Sequence, residues 1–294
     1  MNFVLSQFAS GNAYFLGLAL VAIACLLRPR FRGCAARSAI RVLFLLGVAG
    51  IACSGTPLPL WSYAILAALS LTYFLWLSSS NSAFWKRART LSQFAFFGAL
   101  ATAVAAEAIH RIPPKIAVST SQPVYVIGDS LSAGIGANER LWPALLAEST
   151  GLNVVNLAKA GATTAEAMYQ AREITDPHAL VLIEIGGNDI LGEAKVEDFR
   201  SALDALVTKL TMDGDTVVLF ELPLLPFGNH YGMAQRTVAN RHGIPLIPKT
   251  CLSNVFAAEG ATVDGIHLSP AGHIALAKAV ARMIVVDGVS KPAR

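Results

Sequence analysis

Four long apolar stretches, about Gly11 to Leu27, Val42 to Cys53, Leu60 to Leu77 and Leu91 to Ile109, fill the first part of the chain and constrain it more than anything that follows. A helix needs roughly 17 to 25 such residues to cross the hydrocarbon core of a bilayer. Three of the stretches meet that length. The second must recruit Ile40 and Arg41 or Ser54 to Pro57, or else form a re-entrant or tilted short helix. With 54% hydrophobic and only 14% charged residues over 294 positions, the chain is too apolar for an ordinary soluble domain. Residues 1–110 therefore read as an all-α membrane domain of about four transmembrane helices. A cleaved signal peptide is the poorer account, because it needs a basic flank before one apolar region, and Met1 to Asn12 carries no charged side chain.

Charge sets the expected orientation. Through His110, the cations Arg28, Arg30, Arg32, Arg37, Arg41, Lys86, Arg87 and Arg89 oppose Glu107 alone, giving +7 there and −3 in the remainder. A basic excess confined to short loops between apolar segments does not point to nucleic acid. It occupies the first connection, Arg28 to Arg41, and the third, Trp85 to Arg89, whereas Ser54 to Pro59 has none. Basic loops stay cytoplasmic. With four spans the lipid bilayer is that of the cytoplasmic (inner) membrane, and the rest of the chain starts on its extracytoplasmic, periplasmic side, after a linker at 111–122 that contains Pro113-Pro114. Loss of one helix reverses this. Glu107 and His110 mark the outer end of the fourth helix, with a site at the membrane surface as the alternative. Cys251 is the only cysteine beyond the apolar part, so no disulfide framework is available there, and no pairs at zinc-ligand spacing occur.

Residues 123–294 change character. Short β-rich runs at Val124 to Ile127, Asn153 to Leu157, Leu180 to Ile185, Thr216 to Glu221 and Ile244 to Ile247 alternate with helical patterns at Leu141 to Glu148, Thr164 to Arg172, Val196 to Thr211 and Tyr231 to Arg241. Thr250 to Ala258 is a further helical candidate, and Ser269-Pro270 begins another. Such alternation implies an α/β domain with a parallel sheet of about five strands covered on both faces. Ligands then gather beyond the carboxyl ends of the strands.

Candidate chemistry lies at those ends. Gly128-Asp129-Ser130-Leu131 follows the first strand, Gly161 the second and Gly186-Gly187-Asn188-Asp189 the third, while Asp264-Gly265-Ile266-His267 comes near the end of the chain. A serine hydroxyl needs an imidazole base, a carboxylate that orients the base, and donors for the developing oxyanion. Each block has a plainer reading: Asp129 and Ser130 as a helix cap, Gly161 as a turn glycine before a Thr cap, and Gly187-Asn188-Asp189 as a capping turn. Asp264 and His267 are spaced so that the carboxylate accepts from Nδ1–H while Nε2 faces a nucleophile. His178, His230, His242 and His273 lack such a companion and read as surface or packing residues. Asp189 reads as a cap or turn former, and Asp213-Gly214-Asp215 as a turn rather than a metal loop.

These residues and their order resemble the SGNH branch of the GDSL hydrolases over roughly Pro123 to Val285, and Glu184 to Gly192 is especially similar to bacterial thioesterase, lysophospholipase and arylesterase members. The Gly-x-Ser-x-Gly elbow of the α/β-hydrolases is absent, since Ser132 stands where its second glycine belongs. The resemblance implies an SGNH-type three-layer α/β/α domain with Ser130 as nucleophile, His267 as base and Asp264 as its orienting carboxylate. It assigns the oxyanion hole to the N–H groups of Ser130 and Gly161 and the amide of Asn188. No metal or organic cofactor is implied. The expectation is a membrane-anchored serine hydrolase that cleaves acyl esters through an acyl-enzyme, on a lipid, lysophospholipid or simple acyl or aryl ester. An O-deacetylase or O-acyltransferase acting on envelope glycans is the alternative, and a non-catalytic acyl or glycan binder a third reading. Leu222 to Phe227 is a candidate acyl-pocket wall or else buried packing.

Overall fold

The computed structural model describes residues 3–28, 30, 33–76, 83–136, 139–224 and 226–287, so that Met1, Arg32, Leu77 and Leu225, which enter the readings above, lie outside it. The chain divides into two compact units, one of Gln7–His110 with Leu224–Asn229, the other of Met1–Ser6, Arg111–Pro223 and His230–Arg294.

After a short α1 (Phe3–Ala9), whose first residues are grouped with the other unit, the helical unit runs α2 (Asn12–Leu27), α3 (Cys34–Ala52), α4 (Leu60–Trp76) and α5 (Ala83–Ala108). Helix α2 packs against the three that follow it. Its Tyr14, Leu18, Val21 and Cys25 recur every three to four residues on one face and pack with Ile40, Phe44, Leu66, Phe96 and Leu100. Helices α2 and α3 touch backbone to backbone at Gly17 and Gly47. A Cβ on Gly17 would stand 2.6 Å from the Gly47 carbonyl oxygen, and one on Gly47 2.8 Å from that of Gly17. The apolar stretch expected to be short extends on its N-terminal side, because Ala35, Ala36 and Ala39 carry the helix through Arg37 and Arg41, which are thus helical rather than in a loop. Helix α3 and the segment Thr90–Arg111 are each long and apolar enough to cross a membrane; Asn12–Leu27 and Leu60–Thr72 are apolar but shorter.

The second unit runs β1 (Ile116–Ser119), β2 (Val124–Gly128), α6 (Ser130–Ala133), α7 (Trp142–Thr150), β3 (Val154–Asn156), α8 (Ala167–Ala171), β4 (Leu180–Glu184), α9 (Gly187–Leu191), α10 (Val196–Met212), β5 (Thr216–Phe220), α11 (Asn229–His242), β6 (Leu246–Ile247), α12 (Lys249–Ala257), α13 (Pro270–Ala281) and β7 (Ile284–Asp287). Five strands form a parallel sheet in the order β3-β2-β4-β5-β6. Strand β6 is shorter than its sequence run because Pro245 has no N–H to donate; its carbonyl accepts from Leu219 N–H at 3.1 Å. Val124, Val126, Leu180, Leu182, Val218 and Phe220 share one core with Trp142 and Leu146 of α7, Leu252 of α12 and Leu276 and Val280 of α13. The intervening Tyr125, Ile127, Val181, Ile183, Val217 and Leu219 are equally buried and point to the opposite face, where α8 meets β2 and α10 meets β5.

The segment read as a linker, 111–122, contains β1, which corrects that reading. Ile116 and Val118 are buried, and β1 pairs in parallel with β7 at the other end of the chain. The strand does alternate, with Ile116 and Val118 buried and Ala117 and Ser119 exposed, but four residues with so distant a partner are too few for that alternation to mark it. In the main sheet, β2 lies between β3 and β4, so the chain leaves β2 toward one side and returns on the other. That switch point is where an open parallel sheet leaves a crevice at the carboxyl ends. Gly128 ends β2 and Glu184, its register partner, ends β4.

Candidate active site

The chain leaves β2 at Gly128 and turns at once into α6, whose first residue is the half-buried Ser130. Asp129 caps this turn, its Oδ1 accepting from Leu131 N–H at 3.1 Å. Gly128 is gripped by Gln170 of α8, whose side-chain amide donates to Gly128 O and accepts from Gly128 N–H, both at 2.9 Å. Nothing in the sequence pattern singled out Gln170. As the first helical residue, Ser130 keeps an N–H outside the intrahelical ladder, and among the described residues that N–H has no partner.

The loop after β3 is fastened beside this turn. Lys159 N–H donates to Gly128 O at 3.1 Å, and Gly161 follows with φ +79, a left-handed conformation that glycine adopts without steric cost. Gly161 is exposed, and among the described residues its N–H has no partner. Asn188, in α9 beyond β4, donates from Nδ2 to Ala162 O at 2.9 Å and makes a long contact of 3.4 Å to Asp129 Oδ2. Asp189 is more than a local cap. It is buried, and its Oδ2 accepts from both N–H and Oγ1–H of Thr164, at 2.8 and 2.9 Å. Asn188 and Asp189 thus tie the Gly161 loop to the end of β4, and Ser130, Gly161 and Asn188 are brought to one sheet edge.

Asp264 and His267 form the expected pair. His267 Nδ1 lies 2.6 Å from Asp264 Oδ2, while Asp264 Oδ1 accepts from Ile266 and His267 N–H at 3.0 and 2.8 Å. The His267 imidazole and these two backbone donors hold the Asp264 carboxyl well below the usual carboxylate range. With Nδ1–H on Asp264, Nε2 is the basic nitrogen. No hydrogen bond joins His267 to Ser130 among the described residues, but the imidazole is near enough to act electrostatically on Asp129, next to Ser130. Burial pushes the Asp129 carboxyl up to about 6, against the opposing pull of Leu131 N–H and His267.

The remaining candidates have structural partners. His178 Nδ1 meets Gly214 O at 3.2 Å, and His242 Nε2 lies 2.9 Å from Asp204 Oδ1. The His230 ring packs on Tyr231. His273 is buried with Nδ1 accepting from Trp142 N–H at 3.3 Å, and burial lowers its pKa. Asp213 pairs with Lys209, Gly214 has φ +87, and Asp215 Oδ1 accepts from Ala179 N–H at 2.9 Å, so this triplet is a turn. Glu107 is buried within the helical unit. In the candidate stretch Leu222 to Phe227, Leu222 belongs to the sheet core whereas Phe227 is exposed.

Residues 126–275 match the model of the GDSL-like Lipase/Acylhydrolase family. An arylesterase of Vibrio mimicus is 28% identical over 182 residues, spanning 58% of this chain and 91% of the relative. Esterase TesA of Pseudomonas aeruginosa is 30% identical over 163 residues, spanning 51% and 81%. A crystal structure of TesA superposes with a TM-score of 0.50 at 29% identity, covering 55% of this chain and 97% of that one. The matched span runs from within β2 into α13 and holds every residue assembled above at the carboxyl ends of the sheet, and the chain belongs to the GDSL-like lipase/acylhydrolase family of ester-hydrolysing enzymes.

Proposed function

We propose that the second unit is a serine esterase in which Ser130 attacks the acyl carbonyl, His267 takes the serine proton and returns it to the leaving alcohol or phenol, and water then releases the acyl group from Ser130 with His267 again as base. Asp264 holds the imidazole tautomer and stabilises its cation. The N–H groups of Ser130 and Gly161 and the Asn188 amide proton that faces Asp129 receive the oxyanion. The observation that carries this reading is the 2.6 Å His267–Asp264 pair, which leaves Nε2 as a base on a segment whose charge reaches the Ser130 turn. The names of the two relatives, an arylesterase and an esterase, favour a simple acyl or aryl ester as substrate. Deacylation by a sugar or lipid alcohol instead of water would make the same site a transferase.

The first unit anchors this enzyme in the cytoplasmic membrane by four spans and leaves the esterase on the outer side. Two long apolar helices, two shorter ones and the basic residues at Arg28–Arg41 and Lys86–Arg89 support that reading. The deciding experiment is turnover of aryl esters from acetyl to long-chain by the full chain in detergent, with fluorophosphonate labelling. Labelling and turnover are expected for the wild type and are abolished in Ser130→Ala; a folded wild type that neither labels nor turns over would overturn the assignment, and product analysis with competing alcohols separates hydrolase from transferase.

A further inference from the structure

Three buried side chains next to the nucleophile turn take no part in the chemistry above. Ser132 Oγ donates to Glu184 Oε2 at 3.0 Å and accepts from Trp142 Nε1–H at 3.1 Å, and all three side chains are excluded from solvent. Glu184 ends β4, Trp142 begins α7 and Ser132 lies two residues beyond Ser130, so the network ties three elements together at the turn. The Ser132 carbonyl also accepts from Asn156 Nδ2, at the end of β3, at 2.8 Å. Gly128 makes room for it, since a Cβ there would stand 2.8 Å from Ser132 Oγ and 2.9 Å from Glu184 O.

A carboxyl group in the middle of a parallel sheet is costly unless a cation or several donors compensate it. Among the described residues no cation pairs with Glu184 and its Oε1 is buried without a hydrogen-bond partner, so that only Ser132 Oγ–H and the Asp129 backbone N–H act to stabilise its charged form. The titratable group facing it is Asp129, itself influenced by Asp189 and His267. On the α7 side Trp142 is neutral, and burial lowers the pKa of His273, which accepts from the Trp142 backbone, against the opposing pull of Glu139 at 3.8 Å from its Nε2. Burial first, and then the adjoining Asp129 carboxylate, hold the Glu184 carboxyl well above the usual range. Glu184 therefore resists ionisation more than an ordinary carboxyl, and the Asp129 carboxyl beside Leu131 N–H and Asn188 is the one with hydrogen-bond donors to hold a negative charge. An apolar side chain would fill the same space without the desolvation cost, so the acid has a use beyond packing.

We infer that Glu184 is a positioning residue for the esterase reaction, holding the Ser130 turn against β4 and α7 through Ser132. The inference rests on Ser130 being the nucleophile. It is tested on the full chain in detergent with Ser132→Ala, Glu184→Leu and Glu184→Gln, measuring kcat, KM, fluorophosphonate labelling rate and thermal stability against pH. In Ser132→Ala and Glu184→Leu, kcat and labelling rate are expected to fall together by about tenfold, the factor for one positioned hydrogen bond, with KM within about twofold. Glu184→Gln keeps the acceptor and should keep most of the rate. It also removes a buried acid that resists ionisation, so its stability relative to wild type should increase as pH rises above the unfolded-state carboxylate range. Wild-type labelling rates in folded Ser132→Ala, or a loss in Glu184→Gln as large as in Glu184→Leu, would overturn the inference. A wild type that does not label, with Ser130→Ala indistinguishable from it, would remove the nucleophile reading and this one together.

Discussion

Asn188 is held from two sides, by the Ala162 carbonyl at 2.9 Å and by Asp129 at 3.4 Å, and the longer contact is the one an oxyanion can replace. Replacing Asn188 by Ala removes one of three donors and leaves the Asp189–Thr164 bonds that fix the loop. The expected loss in kcat is on the order of 100-fold or more, with an unchanged circular dichroism spectrum; activity within a few-fold of wild type would remove Asn188 from the oxyanion hole. Asp129 makes a separate prediction. Its folded pKa of about 6 exceeds the unfolded value, so the native state binds a proton more tightly, and stability is highest below the unfolded pKa and is lost as pH rises through about 6. Asp129→Asn cannot lose it, so the melting temperature of the variant minus that of wild type should grow from pH 4 to pH 7; a constant difference would contradict a raised pKa. Ser130, Gly161, Asn188, Asp264 and His267 stand out in the sequence as candidates because each follows a strand or a recognisable block. Gln170, Ser132 and Glu184 do not. A polar residue inside a buried run has no periodic signature, and its meaning depends on partners 42 or 52 positions away.

Among the elements, the strands of the main sheet were readable as apolar runs, most plainly the central β2, β4 and β5, since a central parallel strand is buried on both faces and cannot alternate. The β1–β7 pair was not readable, because each strand gains its hydrogen bonds only from the opposite end of the chain. The extension of α3 was hidden for a different reason: its first turns are built from alanine and arginine, good helix formers without an apolar face. Strand β1 is also where a truncation is hazardous. A chain begun at Ser119 would lack Ile116 and Val118, both within the core shared with α12 and α13. Ile116→Ala in the full chain tests this, with an expected loss of roughly 2–5 kcal/mol measured by denaturant unfolding of the esterase signal. A loss below about 0.5 kcal/mol, the level of an ordinary surface substitution, would mean that β1 is dispensable.

For the whole molecule, the placement of charge is what favours the proposed four spans over two. If only α3 and the Thr90–Arg111 segment crossed the membrane, Arg28 and Arg30 before α3 would lie opposite Lys86, Arg87 and Arg89 before the second span, and the basic groups would be divided between the two sides. Four spans put both groups on one side, as retention of positive loops requires. The cost falls on α2, whose 16 residues extend only about 24 Å against a hydrocarbon core of about 30 Å, and such a mismatch is met by local thinning of the bilayer at a fraction of a kcal/mol per Å. Reporter fusions that are active only outside the cytoplasm distinguish the arrangements. Fusions after Gly55 and after Lys115 should be active, and fusions after Gly33 and after Arg87 inactive. Under two spans, fusions after Gly33 and Lys115 would report the same side and those after Gly55 and Arg87 the other, which would place the esterase in the cytoplasm with Arg28 and overturn the four-span reading.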